Sequence, residues 1–278
     1  MPAENSSLTE SVLRRDRLIV AAGLAVLTVL SWAYIIAGAG MGMPAWHMLS
    51  VSLFPHRMAE MSMPDMAHTG TWGAGHWFLV LAMWWVMMIA MMTPSAAPLI
   101  LLYGRATRHA QAGGRLAPGV VPTTAFAAGY LLIWLAFSVA ATVIMWALER
   151  IGAVSATSMG SRLAWMSASI LIAAGLYQVS PLKHACLRVC RSPAEFLTRH
   201  WRPGSFGALR MGLEHGVFCV GCCWVLMALL FVGGVMNPLW IGILTIFVLA
   251  EKLGPQGPWL AYVSGLVLLA WGVATLMD

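Results

Sequence analysis

Residues 211–235 read Met-Gly-Leu-Glu-His-Gly-Val-Phe-Cys-Val-Gly-Cys-Cys-Trp-Val-Leu-Met-Ala-Leu-Leu-Phe-Val-Gly-Gly-Val. After Glu214 and His215 the stretch is apolar apart from its thiols, and it is long enough to cross the hydrocarbon of a bilayer as a helix. Within it Met211, His215, Cys219, Cys223 and Met227 recur every four residues, and Cys222 falls three after Cys219. At 3.6 residues per turn a step of four drifts by only about 40°, so these side chains share one helix face. Thiol, thioether and imidazole are the donors that select Cu(I) and, with less preference, Zn(II). The plainer reading is that small cysteines beside Gly216, Gly221 and Ala228 permit close helix packing. Three cysteines with a flanking histidine exceed what packing requires.

The rest of the chain agrees with a membrane location. Of its 278 residues 60% are hydrophobic and 9% charged, which excludes an ordinary soluble domain. Apolar runs at about 18–39, 77–103, 120–147, 163–179, 211–235, 239–250 and 259–277 predict an all-α, polytopic bundle of about seven spans, the sixth being short. The first run is long enough to read as an uncleaved span rather than a leader. Thirteen of the sixteen Lys and Arg residues fall on one side of this topology, so the N-terminus is expected in the cytoplasm. The expected organisation is a cytoplasmic arm 1–17 and a membrane domain 18–278, with an external loop 40–76 and a basic cytoplasmic segment 183–210. The basic balance then reflects topology and contact with anionic lipid, and no nucleic-acid partner is implied.

The external loop has a distinctive inventory. It holds seven methionines, Met61, Met63 and Met66 among them, together with His47, His56, His68 and His76. It follows neither a helical nor a strand period, so packing does not account for them. Thioether and imidazole are the soft donors that survive where thiols oxidise, which points to capture of external Cu(I) or Ag(I); the plainer reading is a loop lying on the membrane with Met and Trp46 dipping into the interface.

Met83, Met87 and Met91 form one row in the second span, with Met88 and Met92 beside it. A single methionine there is ordinary gap-filling, but five in ten residues ahead of Thr93-Pro94-Ser95 are more than that. Pro94 and Pro98 each delete a helical N–H, which predicts a helix broken near a site or, more weakly, a kink needed only for packing. Cys186 and Cys190, four apart and near His184 in the basic segment, are candidates for an exit site facing a soluble or membrane metal carrier. Glu251 and Lys252 read as an internal ion pair, and Tyr130 and Trp134 as packing residues. The five cysteines do not form a disulfide framework. No phosphate loop, dinucleotide fingerprint or nucleophile elbow appears, so coupling to bound ATP is not expected.

Several separated motifs carry a resemblance. Met91-Met92-Thr93-Pro94-Ser95 with Pro98, Pro181-Leu182-Lys183 with Cys186, Cys190 and Ser192-Pro193, His215-Gly216, Cys219, Gly221-Cys222-Cys223-Trp224, Met236-Asn237 and Glu251-Lys252 occur in order. Together they resemble the bacterial family described as predicted metal-binding integral membrane proteins, from about Trp77 to the end. The resemblance implies an inner-membrane protein linked to metal handling. The sequence therefore predicts a non-enzymatic protein that moves or delivers Cu(I) from the external loop through the Met rows to the Cys and His stripe. The rival is a thiol-disulfide oxidoreductase using Cys219 with Cys222 and Cys186 with Cys190. A structural Zn(II) site is a third reading.

Overall fold

The computed structural model describes residues 3–40, 49, 72–116, 121–155 and 159–277, with 3–17 described by their backbone alone. Its helices are α1 (Ala3–Ile36), α2 (Ala74–Ala112), α3 (Thr123–Arg150), α4 (Ala164–Gln178) and α5 (Pro181–Arg191), then α6 (Pro193–His200), α7 (Gly204–Ala228), α8 (Leu230–Gly233), α9 (Pro238–Leu253) and α10 (Gly257–Met277). The described residues hold no strand, only an isolated bridge between Val154 and Ser161. The all-α expectation therefore holds.

Five stretches are long and apolar enough to cross a membrane: Leu18–Ile36, α2, α3, the run Gly204–Gly233, and α10. The other two expected spans are shorter. Helix α4 has 15 residues and α9 has 16, so at 1.5 Å per residue they reach about 22–24 Å against the about 30 Å of a hydrocarbon core. Helix α4 meets α5 at a bend of 64°, and together the pair passes the same test as a single broken span.

Local chemistry sets these interruptions. Ser180 caps α5 by accepting the Lys183 N–H at 3.2 Å, and Pro181 occupies the first turn, where its missing N–H costs nothing. Asn237 and Pro238 start α9 in the same way, with the Asn237 Oδ1 accepting from the Leu239 N–H at 3.1 Å. Gly234 makes the preceding turn at φ +89°. The break expected in the second span is absent: α2 runs unbroken through Pro94 and Pro98. Just before Pro94, the Tyr130 and Ser95 hydroxyls both donate to the carbonyl of Met92, at 3.2 and 2.8 Å. The basic segment 183–210 is likewise not a loop but largely helix, made of most of α5, all of α6 and the start of α7.

Small residues bring the helices together, as expected where no hydrophobic force separates lipid from helix. Gly129 of α3 and Gly212 of α7 each face the other helix's backbone, and a Cβ at either would overlap it. Helices α4 and α10 pack antiparallel along Gly175, Gly265 and Gly272, where a Cβ on Gly175 would lie 2.8 Å from the Gly265 carbonyl. The Tyr177 hydroxyl at the end of α4 donates to the carbonyl of Gly221, so the α4–α5 break rests against the middle of α7. The C-terminal end of α9 reaches the same level, because Lys252 contacts Ser95 of α2 and Cys219 of α7. The α4–α5 break and the end of the short helix α9 thus meet inside the bundle.

Candidate metal centre

The cysteine stripe of α7 faces the core, where Cys219, Cys222 and Cys223 are each buried. Each helix step places them differently. The thiols of Cys222 and Cys223 both donate back to the Cys219 carbonyl, at 3.1 and 2.9 Å, which fixes their direction along the helix. From there Cys222 Sγ lies 4.0 Å from Cys190 Sγ of α5, and Cys223 Sγ lies 4.0 Å from Met92 Sδ of α2. Three helices supply the sulfur.

These spacings suit a soft metal. Sulfurs bound about 2.3 Å from one ion and 120° apart are about 4.0 Å from each other. Each of the two pairs has the separation of an edge of a three-coordinate sulfur site. Among the described residues no three His, Cys, Asp or Glu side chains are arranged to hold one ion, so ligation here means thiols in pairs supplemented by thioether.

Other expected ligands sit around the cluster. Cys186 packs against Gly221, where a Cβ would stand 2.9 Å from its Sγ. His215 is buried one turn before Cys219, stacked on Tyr130 with ring centroids 5.7 Å apart and edge-on to Phe196 at 5.3 Å. Its Nδ1 has no hydrogen-bond partner among the described residues, and a buried ring nitrogen of that kind is costly unless something else satisfies it. Met87, Met88 and Met91 are buried in the core that surrounds Met92. Met211 and Met227 are also buried, each about 12 Å along α7 from Cys219. The Met211 sulfur accepts the Arg202 N–H at 3.3 Å. His184 stacks on Tyr262 with ring centroids 4.7 Å apart. Met61, Met63, Met66 and His68 lie outside the described residues.

Two residues at the centre, Tyr130 and Lys252, were assigned other roles from the sequence. The Tyr130 hydroxyl is 3.0 Å from Cys219 Sγ as well as bonded to Met92, so it ties α3 to both sulfur-bearing helices. The Lys252 ammonium donates to Cys219 Sγ at 2.9 Å and to Ser95 Oγ at 3.3 Å, with Met92 Sδ at 3.9 Å. The expected Glu251–Lys252 pair does not form. Neighbours in a helix point about 100° apart, and Glu251 instead receives Lys183, whose Nζ is 2.8 Å from both carboxylate oxygens. Lys183 also donates to Gln178, and Gln178 bonds Ser264 at 2.6 Å. The one sequence signal for Lys252 is its charge at the end of an apolar run, where an unpaired cation demands a role.

A helical bundle with membrane-length apolar helices and a buried thiol–thioether centre is the class of protein that the fold and site define. Residues 81–275 match the PpoB2 family, described as copper chaperone, and the chain belongs to that family. The matched region takes in all of the sulfur cluster with Tyr130, Lys183, Glu251 and Lys252, and leaves out α1 and the 40–76 loop. Comparison with curated proteins and with solved structures found no significant match. Membership associates the chain with copper handling of the chaperone kind.

Proposed function

We propose that this protein binds Cu(I) at the centre formed by Cys219, Cys222, Cys223, Cys190 and Met92, and passes it on within a bacterial inner membrane. The convergence of these sulfurs from α2, α5 and α7 in a member of a copper chaperone family carries the reading. Thiolates hold Cu(I) more tightly than thioethers, and the copper is cargo, so the site must both fill and empty. Capture is assigned to Met61, Met63, Met66 and His68 of the external loop, and movement runs inward past Met87, Met88, Met91 and Met92. His215, Met211 and Met227 line the same α7 face on either side of the centre. Cys186, behind Gly221, and Cys190 lead toward a carrier on the cytoplasmic side. In this arrangement the chain crosses the membrane seven times, α4–α5 and α9 supplying the two short spans. A broken helix at a site is the device by which many transporters expose one centre to either side.

Purified full-length protein under reducing conditions should retain copper, assayed against zinc in the same sample. Cys222→Ser should lower that retention several-fold. Zinc in place of copper, or wild-type protein that stays metal-free while cycling a disulfide, would overturn this reading. Impermeant labelling of a cysteine introduced at position 60 should occur from outside the cell, and labelling only from inside would reverse the proposed direction.

A further inference from the structure

Lys252 is buried, with 5% of its surface exposed, and its neighbours are Cys219, Ser95 and Met92. None of the three carries a permanent negative charge. The carboxylate beside it in sequence is committed elsewhere, since both oxygens of Glu251 face Lys183 at 2.8 Å. Glu251 with Lys183 is a neutral pair, and Lys252 is an additional positive charge. That charge lies 2.9 Å from Cys219 Sγ, and Cys222 and Cys223 follow within one turn, bonded to the Cys219 carbonyl. In a region of low dielectric its effect on an ion held among those sulfurs is larger than it would be in water.

We infer that Lys252 is a specificity-determining residue that makes the sulfur centre select monovalent over divalent soft metal ions. The inference rests on the reading of that centre as a metal site. An ion entering between two cysteines displaces both thiol protons to solvent, and the two thiolates carry two negative charges. A monovalent ion then leaves a single negative charge, which the Lys252 ammonium balances, and the buried assembly is neutral. A divalent ion in the same place leaves a net positive charge buried at membrane depth. Cancelling it would take a third anionic ligand, and the described residues do not arrange three His, Cys, Asp or Glu side chains around one point. Met92, paired with Cys223, is a neutral thioether and does not supply that charge. Ser95 and Tyr130 hold the cation and the thiol in place, and neither contributes a permanent charge of its own.

The test uses full-length protein in detergent with a thiol-free reductant, titrated with Ag(I) and with Cd(II) singly and in competition. Wild-type protein should prefer Ag(I), and Lys252→Met and Lys252→Gln should each lose at least tenfold of that preference. Lys252→Arg keeps the charge and should keep the preference. A merely structural lysine would lower the binding of both ions together and leave their ratio unchanged. An unchanged ratio in either neutral variant that still binds Ag(I) overturns the inference while leaving the copper reading intact. Wild-type protein that binds Cd(II) as tightly as Ag(I) overturns it without any variant. Wild-type protein that binds neither ion removes the metal site itself and the inference with it.

Discussion

The sulfurs of Cys190 and Cys222 lie 4.0 Å apart although 32 residues separate them in the chain. Cys190 sits one residue before the end of α5, a short helix that exists as a separate element because Ser180 and Pro181 restart the chain after α4. Lys183 near the start of α5 is tied to Glu251, and Arg191 at its end donates to the Glu251 carbonyl. Both ends of the cysteine-bearing helix are thus anchored to the end of α9, which also delivers Lys252.

This geometry ranks the cysteines. Serine at Cys190, Cys222 or Cys223, and leucine at Met92, should each lower copper retention several-fold, because each removes one member of a sulfur pair. Cys186→Ser, Met211→Leu and Met227→Leu should retain more than half, since none of those sulfurs is a member of either pair. Copper-to-protein ratios of the purified variants give the ranking, and an equal loss at Cys186 and Cys222 would contradict it.

The buried Lys183–Glu251 pair should be strongly asymmetric to mutation. Lys183 is 0% exposed and Glu251 2%, so removing one partner strands the other charge at a cost of about 3–5 kcal/mol. Lys183→Met together with Glu251→Leu should cost less than the two single changes combined. A thermal-denaturation cycle in detergent measures the difference, and strictly additive effects would mean that the pair does not act as a unit.

At the α3–α7 contact, Gly212→Ala should destabilise by at least about 1–3 kcal/mol, because the added methyl meets the Phe126 carbonyl and the two backbones must part. Gly242→Ala on α9 provides the contrast. No atom stands within 4 Å of the added carbon there, and alanine should be neutral or stabilising by up to about 1 kcal/mol. Unfolding midpoints of the two variants should move in opposite directions or by clearly different amounts.

If residues 40–76 capture copper outside the cell as proposed, the test is at their methionines: replacing Met58, Met61, Met63 and Met66 by leucine keeps volume and apolar character while removing sulfur. Copper delivery in cells should fall when external copper is scarce and recover when it is abundant. Equal loss at every concentration would assign these methionines a structural role.

Much of this protein was legible in its order of residues. Apolar runs of membrane length, small residues at helix contacts and the Ser-Pro and Asn-Pro starts of α5 and α9 are local signals. The four-residue spacing of Met211, His215, Cys219, Cys223 and Met227 placed the stripe on one face of α7, since that depends only on helix geometry. The match of residues 81–275 to a copper chaperone family agrees with the metal-handling expectation drawn from those donors.

Other features depended on packing between distant segments. Sequence favoured a break at Pro94 because proline deletes a backbone donor, yet α2 continues through it with Tyr130 of α3 and Ser95 bonded to the Met92 carbonyl. Adjacency suggested that Glu251 pairs with Lys252, whereas the fold gives Glu251 to Lys183 and turns Lys252 toward Cys219. Periodicity within one helix ranks residues by face, and it carries no information about which residue of another helix arrives opposite. The sequence by itself determined an apolar helical protein with a soft-donor stripe. Only the tertiary structure decided that Met92 and Cys190 join that stripe, and that a lysine stands beside it, because those partners are chosen by how α2, α5 and α9 pack against α7.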